Sequence, residues 1–113
     1  MDNDKRTIFD DYDAHGRCQL SPSLLWDQDL STFDWHRGRG LVVQRVIERG
    51  RLHDYFAAFQ MYGGIDGFRQ IIRDEVPYLS HRDLNFVSKQ FEIPKKDIKC
   101  YTRTLSRRRR FNS

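Results

Sequence analysis

A chain of 113 residues can bury one compact core but not two independent ones. Its hydrophobic fraction of 38% is low beside an aromatic fraction of 13%, so the core is expected to be built around Phe, Tyr and Trp, and no stretch approaches the about 20 apolar residues of a membrane span. The net charge of +4 is unevenly placed, with −5 over residues 1–34, +9 over 35–113 and +7 over 95–113 alone, which calls for an anionic partner at one end or a contact between the two ends.

Met1-Asp2-Asn3-Asp4 lacks the basic and apolar regions of a signal peptide, and a cytoplasmic location is expected. Residues 1–19 mix Asp with Gly16 without periodicity and read as an acidic flexible arm. Asp11-x-Asp13-x-His15-Gly16 opens like a calcium loop, but the closing Glu would fall on Pro22, so calcium is set aside. Cys18 and Cys100 stand far apart, with no spacing that makes a zinc motif, and read as free thiols.

Residues 20–103 carry the helical pattern. Ser21-Pro22 starts a short helix with Leu24, Leu25 and Trp26, because Pro at the first helical position has no amide to leave unpaired. Asp34 caps a helix from Trp35 to Arg49, closed by Gly50, with Val42, Val43, Val46 and Ile47 inward. Gly38 and Gly40 weaken its first turns by about 1 kcal/mol each relative to Ala, which implies fraying or the close approach of another backbone.

Leu52, Tyr55, Phe56, Phe59 and Tyr62 form the clearest amphipathic stripe, ended by Gly63-Gly64. A third helix turns Ile65, Phe68, Ile71 and Ile72 inward and stops before Pro77. Ser80-x-x-Asp83 opens a fourth with Leu84, Val87 and Phe91 inward. After the Ile93-Pro94 turn a last short helix carries Ile98 and Tyr101, and residues 104–113 are a basic flexible tail. The expected fold is all-α, a small bundle of four to five helices.

No catalytic, metal or cofactor site is expected. The four His, at 15, 36, 53 and 81, are scattered beside Arg or Asp, and Asp27 and Asp29 lie two apart, where helical side chains do not face each other. Binding is the function that the residues favour. Trp26, Phe33 and Trp35 are either core or the anchors of a protein interface, where Trp is enriched. Lys95, Lys96, Lys99, Arg103, Arg107, Arg108, Arg109 and Arg110 are the expected nucleic-acid contacts, and five phosphates engaged by the tail would give a salt slope of about −4.5. Leu79-Ser80, Leu84, Ile93-Pro94 and Ile98 outline a helix-turn-helix skeleton with a basic second helix. Its spacing is about one turn too long, and Glu92 stands where such a turn usually has Gly, so an ordinary helical corner is the competing reading.

Leu25-Trp26-x-x-Asp29-Leu30-x-x-Phe33-Asp34-Trp35, followed by Arg45-Val46-x-Glu48-Arg49-Gly50, Leu84-Asn85-Phe86, Ile93-Pro94 and Lys99-Cys100-Tyr101-Thr102-Arg103, resembles an uncharacterised family of short bacterial helical proteins across residues 24–103. The resemblance implies an antitoxin-type partner of a nucleotidyltransferase-like toxin. It carries no family site residues over to this chain. The expectation is therefore a non-enzymatic regulatory or antitoxin-like protein that binds a protein partner and touches nucleic acid through its basic end. The alternatives are a DNA- or RNA-binding module and a structural interaction domain.

Overall fold

The computed structural model of the protein describes Phe9, Tyr12, Gly16 and residues 18–102. The apolar stripes fold as four α-helices, α1 (Arg39–Arg49), α2 (Leu52–Met61), α3 (Gly64–Asp74) and α4 (His81–Gln90). A 3-10 helix over Pro22–Leu25 precedes them and another over Lys95–Asp97 follows. No strand occurs among the described residues, so the architecture is the all-α bundle expected from the stripes. No described helix is long and apolar enough to cross a membrane.

α1 begins four residues later than its sequence predicts. Asp34 does cap a turn, its Oδ1 accepting from the amides of His36 and Arg37 at 3.0 Å each, but regular helix starts only after Gly38. Gly40 shows what the weak first turn is for. A Cβ there would stand 2.6 Å from the Glu75 carbonyl oxygen at the end of α3, so the two backbones touch where no larger residue fits. The buried face of α1 is Val42, Val43, Val46 and Ile47, as its spacing indicates.

α2 is enclosed on more than one face: Tyr55, Ala57, Ala58 and Phe59 are all buried, while Leu52 at the start of the expected stripe is 43% exposed. Phe59 is the centre of the core. It meets Phe68 at 5.0 Å, Phe9 at 5.5 Å and Phe91 at 6.1 Å, each close to edge-on, the arrangement that sets the positive rim of one ring against the negative face of another. Phe9 and Tyr12 fall within the stretch expected to be an acidic arm, and both pack on this core. The other residues of the 1–15 stretch, and the tail from 103 onward, lie outside the described residues.

Ser80 caps α4, its Oγ accepting from Asp83 N at 3.2 Å. The helix closes through Ile93 N, which donates to Ser88 O at 3.1 Å across a left-handed Glu92 at φ 53°. This is the Schellman arrangement with Glu where Gly is usual. The last helix, expected to run on from Pro94, is interrupted: a 3-10 turn over Lys95–Asp97 gives way to an extended Ile98, and helix resumes at Lys99. Ile98 is fully buried there, and its anchoring in the core breaks the helix in two.

Candidate partner-binding groove

Among the described residues from Cys18 to Trp35 the regular structure is one turn of 3-10 helix, and side chains of α1 and α2 fix the segment's path. Asp54, 1% exposed, does most of this. Its Oδ1 accepts from Ser21 N at 2.7 Å, and its Oδ2 accepts from Ser21 Oγ at 3.2 Å and from Arg51 N at 2.9 Å. Burial pushes this carboxyl up, but the amides of Arg51 and Ser21, the Ser21 hydroxyl and the adjacent His53 outweigh it and hold the group below its ordinary value. Six residues on, Gln60 accepts from Cys18 N at 3.4 Å and donates to Gly16 O. Tyr62 Oη donates to Trp35 O at 2.9 Å, and burial raises that phenol to about 12. From α1, Arg45 grips the Asp27 carboxylate through both terminal nitrogens, at 3.0 and 2.9 Å, and reaches Leu24 O at 3.1 Å. The Arg45 guanidinium holds the Asp27 carboxyl below its usual range.

Held this way, the segment forms one wall of a groove of about 370 Å3 whose other wall is Met61 of α2. Leu20, Pro22, Leu25, Leu30 and Trp35 supply most of the lining, with Cys18 at one side. Leu30 at 39% and Met61 at 41% carry the apolar surface out to solvent. The loop that forms the wall is acidic. Asp27, Asp29 and Asp34 are all exposed, and residues 18–36 contain no Lys or Arg.

The three aromatic residues singled out in the sequence do not form one patch. Trp26 ends the 3-10 helix with 70% of its surface exposed, because Leu24 and Leu25 take the two inward positions of a helix only four residues long. Phe33 and Trp35 meet each other edge-on at 4.9 Å and are half-buried against the core, and Trp35 alone of the three lines the groove. Sequence reasoning did not mark Leu20, Leu30 or Met61 as site residues, and Leu30 entered only through the family resemblance. Of the expected nucleic-acid contacts, Lys96 and Lys99 are exposed and Lys95 is half-buried around the second 3-10 turn. Arg103, Arg107, Arg108, Arg109 and Arg110 lie outside the described residues.

Ser21, His53 and Asp54 come together without forming a nucleophilic relay. His53 Nε2 lies 3.0 Å from Ser21 Oγ and 3.3 Å from Asp54 Oδ1, so hydroxyl and carboxylate meet the same ring nitrogen. A relay needs them on opposite nitrogens. His36, His53 and His81 are exposed. Among the described residues no group of three or more His, Cys, Asp or Glu is placed to hold a metal ion, and Cys18 and Cys100 are not joined in a disulfide.

Comparison with known proteins gives a match over part of the chain. The model of a family of unknown function (DUF6922) matches residues 20–72, the stretch that holds most of the groove lining and α1 and α2. No curated protein and no solved structure matches the chain.

Proposed function

We propose that this chain is a non-enzymatic regulatory protein of antitoxin type that docks a protein partner in the groove between residues 18–35 and α2. The observation that carries the reading is the groove itself. It is an apolar slot, 370 Å3 in volume, continuous with exposed Leu30 and Met61 and walled by a loop that presents Trp26. A slot of that kind, rimmed by polar groups, suits a side-chain anchor from another protein better than it suits bulk water. The acidic loop favours a partner segment that is apolar with basic flanks. The resemblance to antitoxin-type proteins suggests that the partner is a toxin, in which case the two associate stably.

Co-expression with the product of the adjacent gene tests this. The wild-type chain is expected to co-purify with that product and to restore growth where it is toxic. Leu30→Asp and Trp26→Ala, both folded, are expected to lose most of that effect. A folded wild-type chain that neither co-purifies nor rescues overturns the proposal.

A second reading keeps nucleic acid as a ligand of the basic end, because Lys96 and Lys99 are exposed and make no ion pair among the described residues. It requires affinity for a duplex or single strand that falls steeply with salt and drops further in Lys96→Ala/Lys99→Ala. Salt-independent binding, or none, removes it.

A further inference from the structure

A second cavity, of about 460 Å3, opens where the C-terminus of α1 meets the first turns of α2 and α4. It shares no lining residue with the groove. Its size is that of a small-ligand site, about 300–1,000 Å3. Ile47 and Phe86 give it apolar walls, while Glu48 and Asp83 bring two carboxylates. Helix α1 ends here. Gly50 N takes the Val46 carbonyl at 2.8 Å, and no further amide among the described residues reaches the carbonyls of Ile47 and Glu48. Helix N-termini ordinarily favour an anion, but both that border this cavity already carry their own carboxylate in the first turn, Asp54 in α2 and Asp83 in α4. The lining is therefore rich in acceptors, and exposed Arg82 is the one cation on it.

Tyr55 is the observation that points to a ligand. It lines the cavity with only 5% of its surface exposed, its ring fixed by Phe9, Phe68, Phe86 and Phe91. Its hydroxyl makes no hydrogen bond with any described residue. The ring is enclosed but the hydroxyl is not sealed off, since Arg69 Nε is the fully enclosed side-chain polar atom without a partner among the described residues, and a donor can reach the Tyr55 oxygen from the cavity. Burial first, and the Asp83 charge second, push its pKa up, so it remains a neutral phenol with an oxygen free to accept.

We propose that this cavity binds an alkylguanidinium group. The planar cation lies against the Phe86 ring, donates to Glu48 and Asp83, and gives one N–H to the Tyr55 oxygen. Guanidinium suits this better than ammonium because its fork reaches several acceptors at once and its face stacks on an aromatic ring. The same chemistry has two sources: Arg107 to Arg110 of this chain, or an arginine of another molecule.

The test is an NMR titration of the full-length chain with N-acetyl-arginine amide, beside the uncharged N-acetyl-citrulline amide. Saturable shifts are expected at residues around 47–55 and 80–86, with a Kd on the order of 1 mM, and citrulline amide weaker by about tenfold or more. Tyr55→Phe, which keeps the ring, and Glu48→Gln should each weaken binding about 3–10-fold, and Arg82→Ala should tighten it about 2–3-fold. Replacing Arg107 to Arg110 with Gln in the full chain separates the sources: tighter probe binding identifies the chain's own arginines as the resident group, unchanged binding an arginine from elsewhere. Absence of saturable shifts in both proteins, equal binding of citrulline amide, or Tyr55→Phe and Glu48→Gln variants that bind like the parent would overturn the assignment.

Discussion

Replacing Asp54 with alanine removes the only acceptor that the structure gives to the amides of Ser21 and Arg51, and with it the tie that holds the groove wall to α2. A buried amide left without a partner costs about 1–3 kcal/mol, and part of the cost is relieved if water follows the segment outward, so Asp54→Ala should lose about 3–5 kcal/mol. For a domain whose whole stability is about 5–15 kcal/mol, the variant stays folded in buffer but with its urea midpoint lowered severely. Asp54→Asn keeps the shape and one acceptor oxygen but turns an NH2 toward a donor, and should fall between the two. Fluorescence is a suitable probe because half-buried Trp35 lies on the same segment while Trp26 is exposed whether or not that segment is docked. The pH dependence is a second signature. The folded carboxyl lies below its ordinary value, so the unfolded chain binds the proton more tightly than the native one. The stability that this group supplies is complete above the unfolded carboxyl range near about 3.9 and is lost as pH falls through the depressed folded value. The gap between wild type and Asp54→Ala should therefore begin to narrow as pH falls below about 4, by the share of the stability that depends on the charged carboxylate. A loss under about 1 kcal/mol at pH 7, or a gap that stays constant down to acid pH, would refute the reasoning.

Three further outcomes are expected. Gly40→Ala should destabilise by about 1–3 kcal/mol despite the better helix propensity of Ala, because its Cβ meets the Glu75 backbone at 2.6 Å and not a movable side chain; an increase in Tm would show that α1 and α3 can separate freely. Glu92→Gly should stabilise by about 0.5–1 kcal/mol, since a left-handed L-residue costs about 1–2 kcal/mol and Gly loses somewhat less than that in entropy; chemical denaturation that shows a loss would mean that the Glu92 side chain contributes something its φ of 53° conceals. Trp26→Ala should change stability by no more than about 0.5 kcal/mol because the side chain is 70% exposed, and a larger loss by calorimetry would place Trp26 in the core and remove it from the partner surface.

Much of the bundle was legible in the sequence because its helices bury simple stripes. Val42, Val43, Val46 and Ile47, then Phe68, Ile71 and Ile72, then Leu84 and Val87, all face inward as their spacing requires. The start of α1 was not legible. Asp34 is a good cap, but the regular ladder waits for the Gly40 contact with α3, a fact about tertiary approach and not about local propensity. The role of Asp54 was hidden for a related reason. Its helix is preceded by Arg51, a residue that signals no cap, and its main partner, Ser21, is 33 positions away. The groove was only half visible. Trp35 was marked by being aromatic, but Leu20 and Leu30 come from a stretch with no period and Met61 lies off the stripe of its helix, and the hydrogen bonds of Arg45, Asp54, Gln60 and Tyr62 hold the first two in place.

The segment similar to the family of unknown function ends at Ile72, partway along α3 and in the interior of the core. Phe59 and Phe68 belong to that segment, but Phe91, which closes over both at 6.1 and 5.3 Å, does not, nor do Phe9, Val87 and Ile98, which complete the burial. Residues 20–72 therefore carry most of the groove lining without all of the core that buries Phe59 and Phe68. In a chimaera the groove could be moved between chains only together with a compatible α4 and its corner. A chain severed at the Gly63-Gly64 turn should regain its structure only when both pieces are mixed, because each holds half of one aromatic cluster.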